Sequence, residues 1–271
     1  IIIFSKYRIY KIYKIYKIMC ENKSASEINT FINERLSSAK NEKQAIVLVG
    51  GPGSGKSSGK LNVVSSIQKT IKDFANIDPD EILSKLFDNN NKCRKVVNDI
   101  NDESYEKAIK QKKNIIFDGT GKDFEWYSND VLKRLKDNEY KVNLVIVDNN
   151  VENVLARIKK RAEDEGRDVP EDYTRSVYET LSIAIPKYLS LDCEYADYIY
   201  LYDNSKESIH LIYKTGCKDG VKQMMGGRKI PSSKTRKSTR KSTRKSTRKS
   251  TRKSTRKSTR KSTRKSTRKS T

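Results

Sequence analysis

The sequence predicts an α/β fold of three layers, with helices on both faces of a mainly parallel, five-stranded sheet. Three observations predict it. Short apolar runs rich in β-branched residues recur along the chain, at 45–49, 115–117 and 142–147, each too short for a helix. Segments whose apolar residues fall at helical spacing separate them, the alternation that builds parallel sheets. The first run also passes through a glycine-rich turn straight into such a segment, at Gln44–Lys60, QAIVLVGGPGSGKSSGK.

That turn, Gly50–Ser57, reads GGPGSGKS and fits G-x-x-x-x-G-K-[ST]. Strand, glycine loop and helix stand in the order that a phosphate-binding loop needs. Glycines let the backbone approach phosphate oxygens and take positive φ at low cost. Successive N–H groups at a helix start present partial positive charge to an anion. The predicted nucleotide contacts are therefore Gly51, Pro52, Gly53, Ser54, Gly55, Lys56, Ser57 and Ser58. Lys56 reaches the β- and γ-phosphates, and the Ser57 hydroxyl ligates Mg²⁺. Leu61, Val64, Ile67 and Ile71 mark the inner face of the helix that follows.

Charge and cysteine content narrow the function classes. The 271-residue chain carries a net charge of +24, but unevenly. Arg236–Thr271 is nine copies of RKST with +18, and residues 1–18 add +5, so the middle is nearly neutral. From Ser232 onward there are only Ser, Thr, Lys and Arg, so residues 231–271 form a tail with no core and are expected to be disordered. Such a tail can hold nucleic acid or another polyanion. Residues 1–18, IIIFSKYRIYKIYKIYKI, precede the first methionine, Met19. A charge every third residue breaks any membrane span, and no signal-peptide pattern is present. The expectation is that this leader lies outside the fold and that translation starts at Met19. The globular domain is then 19–230. The cysteines, at 20, 93, 193 and 217, are widely spaced and form no C-x-x-C. That predicts free thiols in a reducing compartment, cytoplasmic or nuclear. A single histidine, His210, argues against a His-based triad or metal site.

The remaining elements follow in order. Ser24–Glu27 has capping-box spacing before a helix with Ile28, Phe31, Ile32 and Leu36 inward. Residues 74–77 form a short second strand entering Asp78-Pro79-Asp80-Glu81. Asp78 suits a helix cap and Pro79 the first turn. Asp80 then stands at the carboxyl end of a strand, where a carboxylate can take a proton from an attacking hydroxyl; Asp78 is the reserve. Residues 82–112 read as two helices joined at Asn89–Asn91. Ile115–Asp118 resembles a strand ending in a metal-holding acid, so Asp118 joins Ser57 as a predicted Mg²⁺ contact. Thr120 or Asp123 caps the next helix. Residues 142–148 form the fourth strand. Its helix carries Arg157 and Arg161 on one face, and Arg167 follows beyond Gly166. Such arginines suit a lid over a transferring phosphoryl group, or a solvated basic face. Residues 171–189 form a helix, 196–205 hold the fifth strand, and 208–213 read as one more edge strand. Gly226-Gly227 begins the exit from the domain.

The stretches GGPGSGKS (50–57), IDPDEI (77–82), IIFDGT (115–120), RIKKRAEDEGRDVP (157–170) and ADYIYLYDNS (196–205) together resemble the zeta-toxin family of P-loop kinases over about residues 44–215. The resemblance implies an adenylate-kinase-type fold that uses ATP or GTP with Mg²⁺. Characterised bacterial members phosphorylate UDP-N-acetylglucosamine. It also implies Lys56 and Ser57 on phosphate and Mg²⁺, Asp80 as general base, and Arg157, Arg161 and Arg167 as neutralising cations. Asp118 departs from the pattern, since some members have Glu there. The expected activity is transfer of a γ-phosphoryl group to a hydroxyl of a small molecule such as a nucleotide sugar. Two other readings stand beside it: a polynucleotide 5′-hydroxyl kinase, and a nucleic-acid-binding protein acting through its tail with a vestigial kinase core.

Overall fold

The structure is a computed structural model that describes Cys20 and residues 23–165, 169–206, 208–218 and 220–227. The leader 1–18, the tail 231–271 and Arg167 lie outside the described residues. Among the described residues, no helix is long and apolar enough to cross a membrane.

Among the described residues, seven strands form one sheet in the order β2-β3-β1-β4-β5-β6-β7. They are β1 (Gln44–Val49), β2 (Ala75–Ile77), β3 (Ile115–Asp118), β4 (Lys141–Asp148), β5 (Tyr198–Asp203), β6 (His210–Lys218) and β7 (Val221–Gly227). The first five in spatial order are parallel, as the sequence predicts, and β6 and β7 add antiparallel at one edge. The helices are α1 (Ala25–Ser37), α2 (Lys56–Ser66), α3 (Pro79–Phe87), α4 (Arg94–Lys110), α6 (Val151–Glu165) and α7 (Glu171–Ser190). Between β3 and β4, a helix here called α5 runs from Phe124–Trp126 through a π-helical Tyr127–Lys133 into Arg134–Asp137.

Strand alternation builds the layers. Val47, Val49, Ile115, Phe117, Leu144 and Ile146 face a core shared with α1, α3, α4, α5 and α7. Ile46, Leu48, Ile116, Val145 and Val147 point the other way, onto Val63 and Val64 of α2. Each central strand is buried on both sides, which is why it reads as a continuous apolar run. The Ser24 capping box starts α1, and Asp123 caps the helix after β3; each such cap contributes about 1 kcal/mol. Two tyrosine hydroxyls tie the π-helical turns to their neighbours. Tyr105 Oη donates to Val131 O at 2.9 Å, and Tyr127 Oη donates to Leu48 O at 2.9 Å. These two buried bonds pin the irregular segment to α4 and to the first strand.

Three expectations need correction. Leu61 is 55% exposed; the sheet is approached instead by Gly59, Val63 and Val64. The edge strand at 208–213 is longer, and it turns back into β7, so Gly226-Gly227 ends a strand. Pairing Tyr213 with Gly227 requires this turn, and nothing local in VKQMMGG, whose apolar Val221, Met224 and Met225 follow no period of two, announces a strand. The cysteines are not free thiols: Cys20 bonds Cys93 and Cys193 bonds Cys217, across 73 and 24 residues. Wide spacing carried no signal because the partners meet only through the fold. The inference of a reducing compartment loses its support from that spacing.

A Cβ on Gly59 would lie 2.7 Å from Val147 Cγ2 and 3.4 Å from Val145 Cγ1. Gly59→Val is therefore expected to lower unfolding free energy by about 1–3 kcal/mol through overpacking of α2 against β4, measured by urea denaturation. An unchanged midpoint would show that α2 can shift away from the sheet.

Candidate active site

The site grows from strand register. Leu48 of β1 pairs with Asp118 of β3, and Ile77 of β2 pairs with Phe117. The carboxyl ends of three parallel strands therefore lie level and side by side, where α/β sheets hold ligands. From those ends emerge the loop 50–55, Asp118, and the turn Asp78–Asp80.

The loop has the shape that the motif demands. Gly53 and Gly55 take φ of +68° and +96°, where a side chain would be strained. Its carbonyls are tied from outside. Asn204 Nδ2 donates to Ser54 O at 2.7 Å, and Asn149 Nδ2 donates to the same oxygen at 3.4 Å. Tyr178 Oη donates to Pro52 O at 3.2 Å. Gly51 is glycine for a steric reason as well, since a Cβ there would lie 2.4 Å from the Tyr178 ring. Sequence reasoning did not single out Tyr178, Asn149 or Asn204 as loop supports. Asn204 stood within a quoted motif, whereas Tyr178 reaches the loop from a helix 126 residues away.

Lys56 folds back on its own loop. Its Nζ donates to Gly50 O at 2.9 Å and Gly51 O at 3.4 Å, and lies 3.8 Å from Asp118 Oδ1. Ser57 and Ser58 follow in the first turn of α2. Arg157 Nη2 donates to Asn204 O at 3.3 Å, and its Nη1 lies 3.8 Å from where a Gly55 Cβ would stand. Arg157 is thus at the loop. Arg161, one turn further along α6, is exposed.

Across the strand ends, Asp78 caps α3, accepting from Asp80 N at 2.9 Å, with Pro79 in the first helical turn. Burial pushes its carboxyl up to about 6, and the nearby Asp118 carboxylate adds to the rise. Asp80, one turn position on, projects to the rim, where Arg94 Nη1 meets its Oδ1 at 2.7 Å. Behind α3, Arg35 is 5% exposed, 3.2 Å from Glu81 Oε2, and lies over the Phe31 ring. Asn76 Nδ2 donates to Glu81 Oε2 at 2.8 Å. This buried group anchors the helix that carries both aspartates. Neither Arg35 nor Arg94 was singled out from sequence, because nothing local marks an arginine whose partner comes from another helix. A groove at the amino ends of β4 and β5, lined by Lys136, Tyr140, Lys141, Asp197 and Tyr198, lies at the opposite end of the strands.

A lysine, a helix N-terminus, a flanking arginine and three clustered carboxylates suit an anionic phosphate chain with a counter-ion and a proton acceptor. A Mg²⁺ ion here would have one hydroxyl, Ser57, and one carboxylate, Asp118, as its protein donors. Such a pair would suit an ion that completes its shell with phosphate oxygens and water; burial first, and the Asp118 carboxylate second, raise the neighbouring Asp78.

The Zeta toxin family model matches residues 30–216, from within α1 to within β6. Among solved structures, a chain of the PezAT chromosomal toxin–antitoxin system of Streptococcus pneumoniae superposes with a TM-score of 0.58 at 18% identity, over 72% of this chain and 83% of that one. The AvrRxo1-ORF1:AvrRxo1-ORF2 complex with ATP superposes with a TM-score of 0.58 at 15% identity, over 73% of this chain and 68% of that one. At these identities the likeness is one of fold. No curated protein matches the sequence.

Asp78 also yields a stability prediction. Its folded-state pKa of about 6 exceeds its unfolded value, so the folded state holds the proton more tightly. Its ionisation thus costs stability, which falls as pH rises from about 4 to about 6 and then levels. Asp78→Asn keeps a capping side chain and is expected to remove that slope. The variant gains roughly 3 kcal/mol or less over the parent at pH 7, read from denaturation curves across pH. Parallel pH profiles for the two proteins would refute the assignment.

Proposed function

This chain belongs to the zeta toxin family of P-loop kinases, and we propose that it transfers the γ-phosphoryl group of ATP or GTP to a hydroxyl of a small molecule such as a nucleotide sugar. The observation that carries this reading is the convergence of Lys56, Asp118 and the Asp78–Asp80 turn at three adjacent strand ends.

In this reading Lys56 turns from Gly50 O to the β- and γ-phosphates, while backbone N–H groups between Gly53 and Ser57 cradle them. Asp80 accepts the acceptor's hydroxyl proton. The freed oxygen forms a bond to the γ-phosphorus as the bond to the β–γ bridging oxygen breaks, and the diphosphate leaves. Arg157 stands beside Gly55 to meet charge on the transferred group, and Arg161 and Arg167 are assigned to the same task from the segment beyond it. Ser57 and Asp118 are the residues that would hold Mg²⁺. When bound, the ion shields the phosphate charges from one another.

The test is transfer of label from γ-labelled ATP, with magnesium, to UDP-N-acetylglucosamine. Asp80→Asn is expected to lower kcat by about a hundredfold or more with little change in KM for ATP. Lys56→Ala is expected to abolish the calorimetric heat of ATP binding. Label on polynucleotide 5′ ends and none on the sugar nucleotide would overturn the acceptor. An activity that survives Lys56→Ala and is lost with the RKST tail would overturn the kinase itself.

A further inference from the structure

The segment that joins α3 to α4 is built to deliver one side chain. Asp88 and Asn89 both take positive φ, +47° and +60°, the left-handed close of α3 that Asp and Asn accept, with both N–H groups turned back on Leu83 O. A one-turn 3₁₀ helix, Asn91–Cys93, follows, and α4 begins at Arg94. Asp88, Asn89, Asn91 and Lys92 are exposed, and Cys93 is the one buried residue of 88–93. The turn is therefore anchored to the core through Cys93, and Cys93 is bonded to Cys20 at the chain's entry to the domain, with the two Cα atoms 5.4 Å apart. The next residue is Arg94. Its Nη2 donates to Asn91 Oδ1 at 3.2 Å within the turn, and its Nη1 reaches Asp80 Oδ1 at 2.7 Å. With one end of the fork on Asn91, the other reaches a single oxygen of Asp80 and fixes where that oxygen stands by a charge-assisted bond.

We propose that Arg94 is a positioning residue for Asp80, and that the Cys20–Cys93 disulfide holds Arg94 in place, so that reduction of this bond slows phosphoryl transfer. The inference rests on Asp80 as the proton acceptor. Reduction takes two electrons and two protons from a dithiol, which closes to its own disulfide, and leaves two thiols in the protein. The 3₁₀ turn then loses its covalent anchor. The bonds that remain at its backbone, from Asn90 N to Phe87 O and from Cys93 N to Asn90 O, are local to the turn, and the guanidinium no longer meets the carboxylate in a fixed geometry. A misplacement of that kind slows a reaction without weakening nucleotide binding.

The experiment uses the full chain, with dithiothreitol as reductant and UDP-N-acetylglucosamine as acceptor probe. A Cys193→Ser/Cys217→Ser background leaves one reducible disulfide, and Cys20→Ser in the otherwise unchanged protein is a second route that needs no reductant. Reduction, Cys20→Ser and Arg94→Ala are each expected to lower kcat about tenfold, with KM for ATP unchanged. In Arg94→Ala the first two are expected to add nothing further, and Arg94→Lys is expected to recover part of the rate. A loss on reduction as large in Arg94→Ala as in the parent would overturn the proposal. A second readout needs no turnover: the Arg94 Nε–H resonance, identified by its absence in Arg94→Lys, is expected to shift on Asp80→Asn and in the same direction on reduction. A resonance unmoved by reduction would also overturn it. If the resonance moves while no label reaches the sugar nucleotide, the assigned activity fails and the Arg94 anchor stands.

Discussion

Leu48 lies opposite Asp118, and Ile77 lies opposite Phe117; the rest of the site depends on this pairing of three parallel strands. Side chains alternate along a strand, so a slip of one residue would turn Asp118 to the other face and strand Lys56 without its carboxylate. The register is held from both sides. Alternate residues of β1 enter different cores, one against α1, α4, α5 and α7 and one against α2. Tyr127 adds a bond to Leu48 O at the last turn before the loop. The position of the candidate chemistry is thus set by apolar packing on both faces of the sheet, below the strand ends where the charged groups stand.

What the strands bring together is electrostatically costly. Asp78, Asp80 and Asp118 share one edge, and burial with mutual repulsion drives the Asp78 proton affinity up. The fold answers with cations drawn from different elements. Lys56 comes from α2, Arg94 from α4, and Arg35 holds Glu81 from behind. Burial pulls the Arg35 guanidinium down, while Glu81 and Asp78 oppose that shift. A core of apolar residues at these positions would be easier to build. Under the proposed function, the cations would face a phosphate chain, and the carboxylates its counter-ion and the acceptor's proton.

The glycine loop was legible because its chemistry is local. Glycine at 53 and 55 answers a backbone need, and a strand before it and a helix after it are visible in apolar spacing. Asp78 was legible as a cap for the same reason. Leu61 was misread because the helical stripe has two adjacent candidate faces, and Gly59, with no side chain, decides which one can approach β4. The seventh strand was missed because VKQMMGG carries no alternation. Its place comes from an edge left open by β6, and an antiparallel partner can fill such an edge with little regard to side-chain pattern.

The amino-acid sequence by itself determined the α/β class, the phosphate loop, the two aspartates of the β2–α3 turn and the acid at the end of β3. The class comes from apolar runs alternating with helical spacing along the chain, and the loop and the acids from a few contiguous residues each. Only the tertiary structure decided that Tyr178, Asn149 and Asn204 brace the loop, that Arg94 meets Asp80, and that the four cysteines pair. Those contacts join residues from 14 to 150 positions apart. No local propensity carries a distance in space, and only packing of the layers brings such partners within reach.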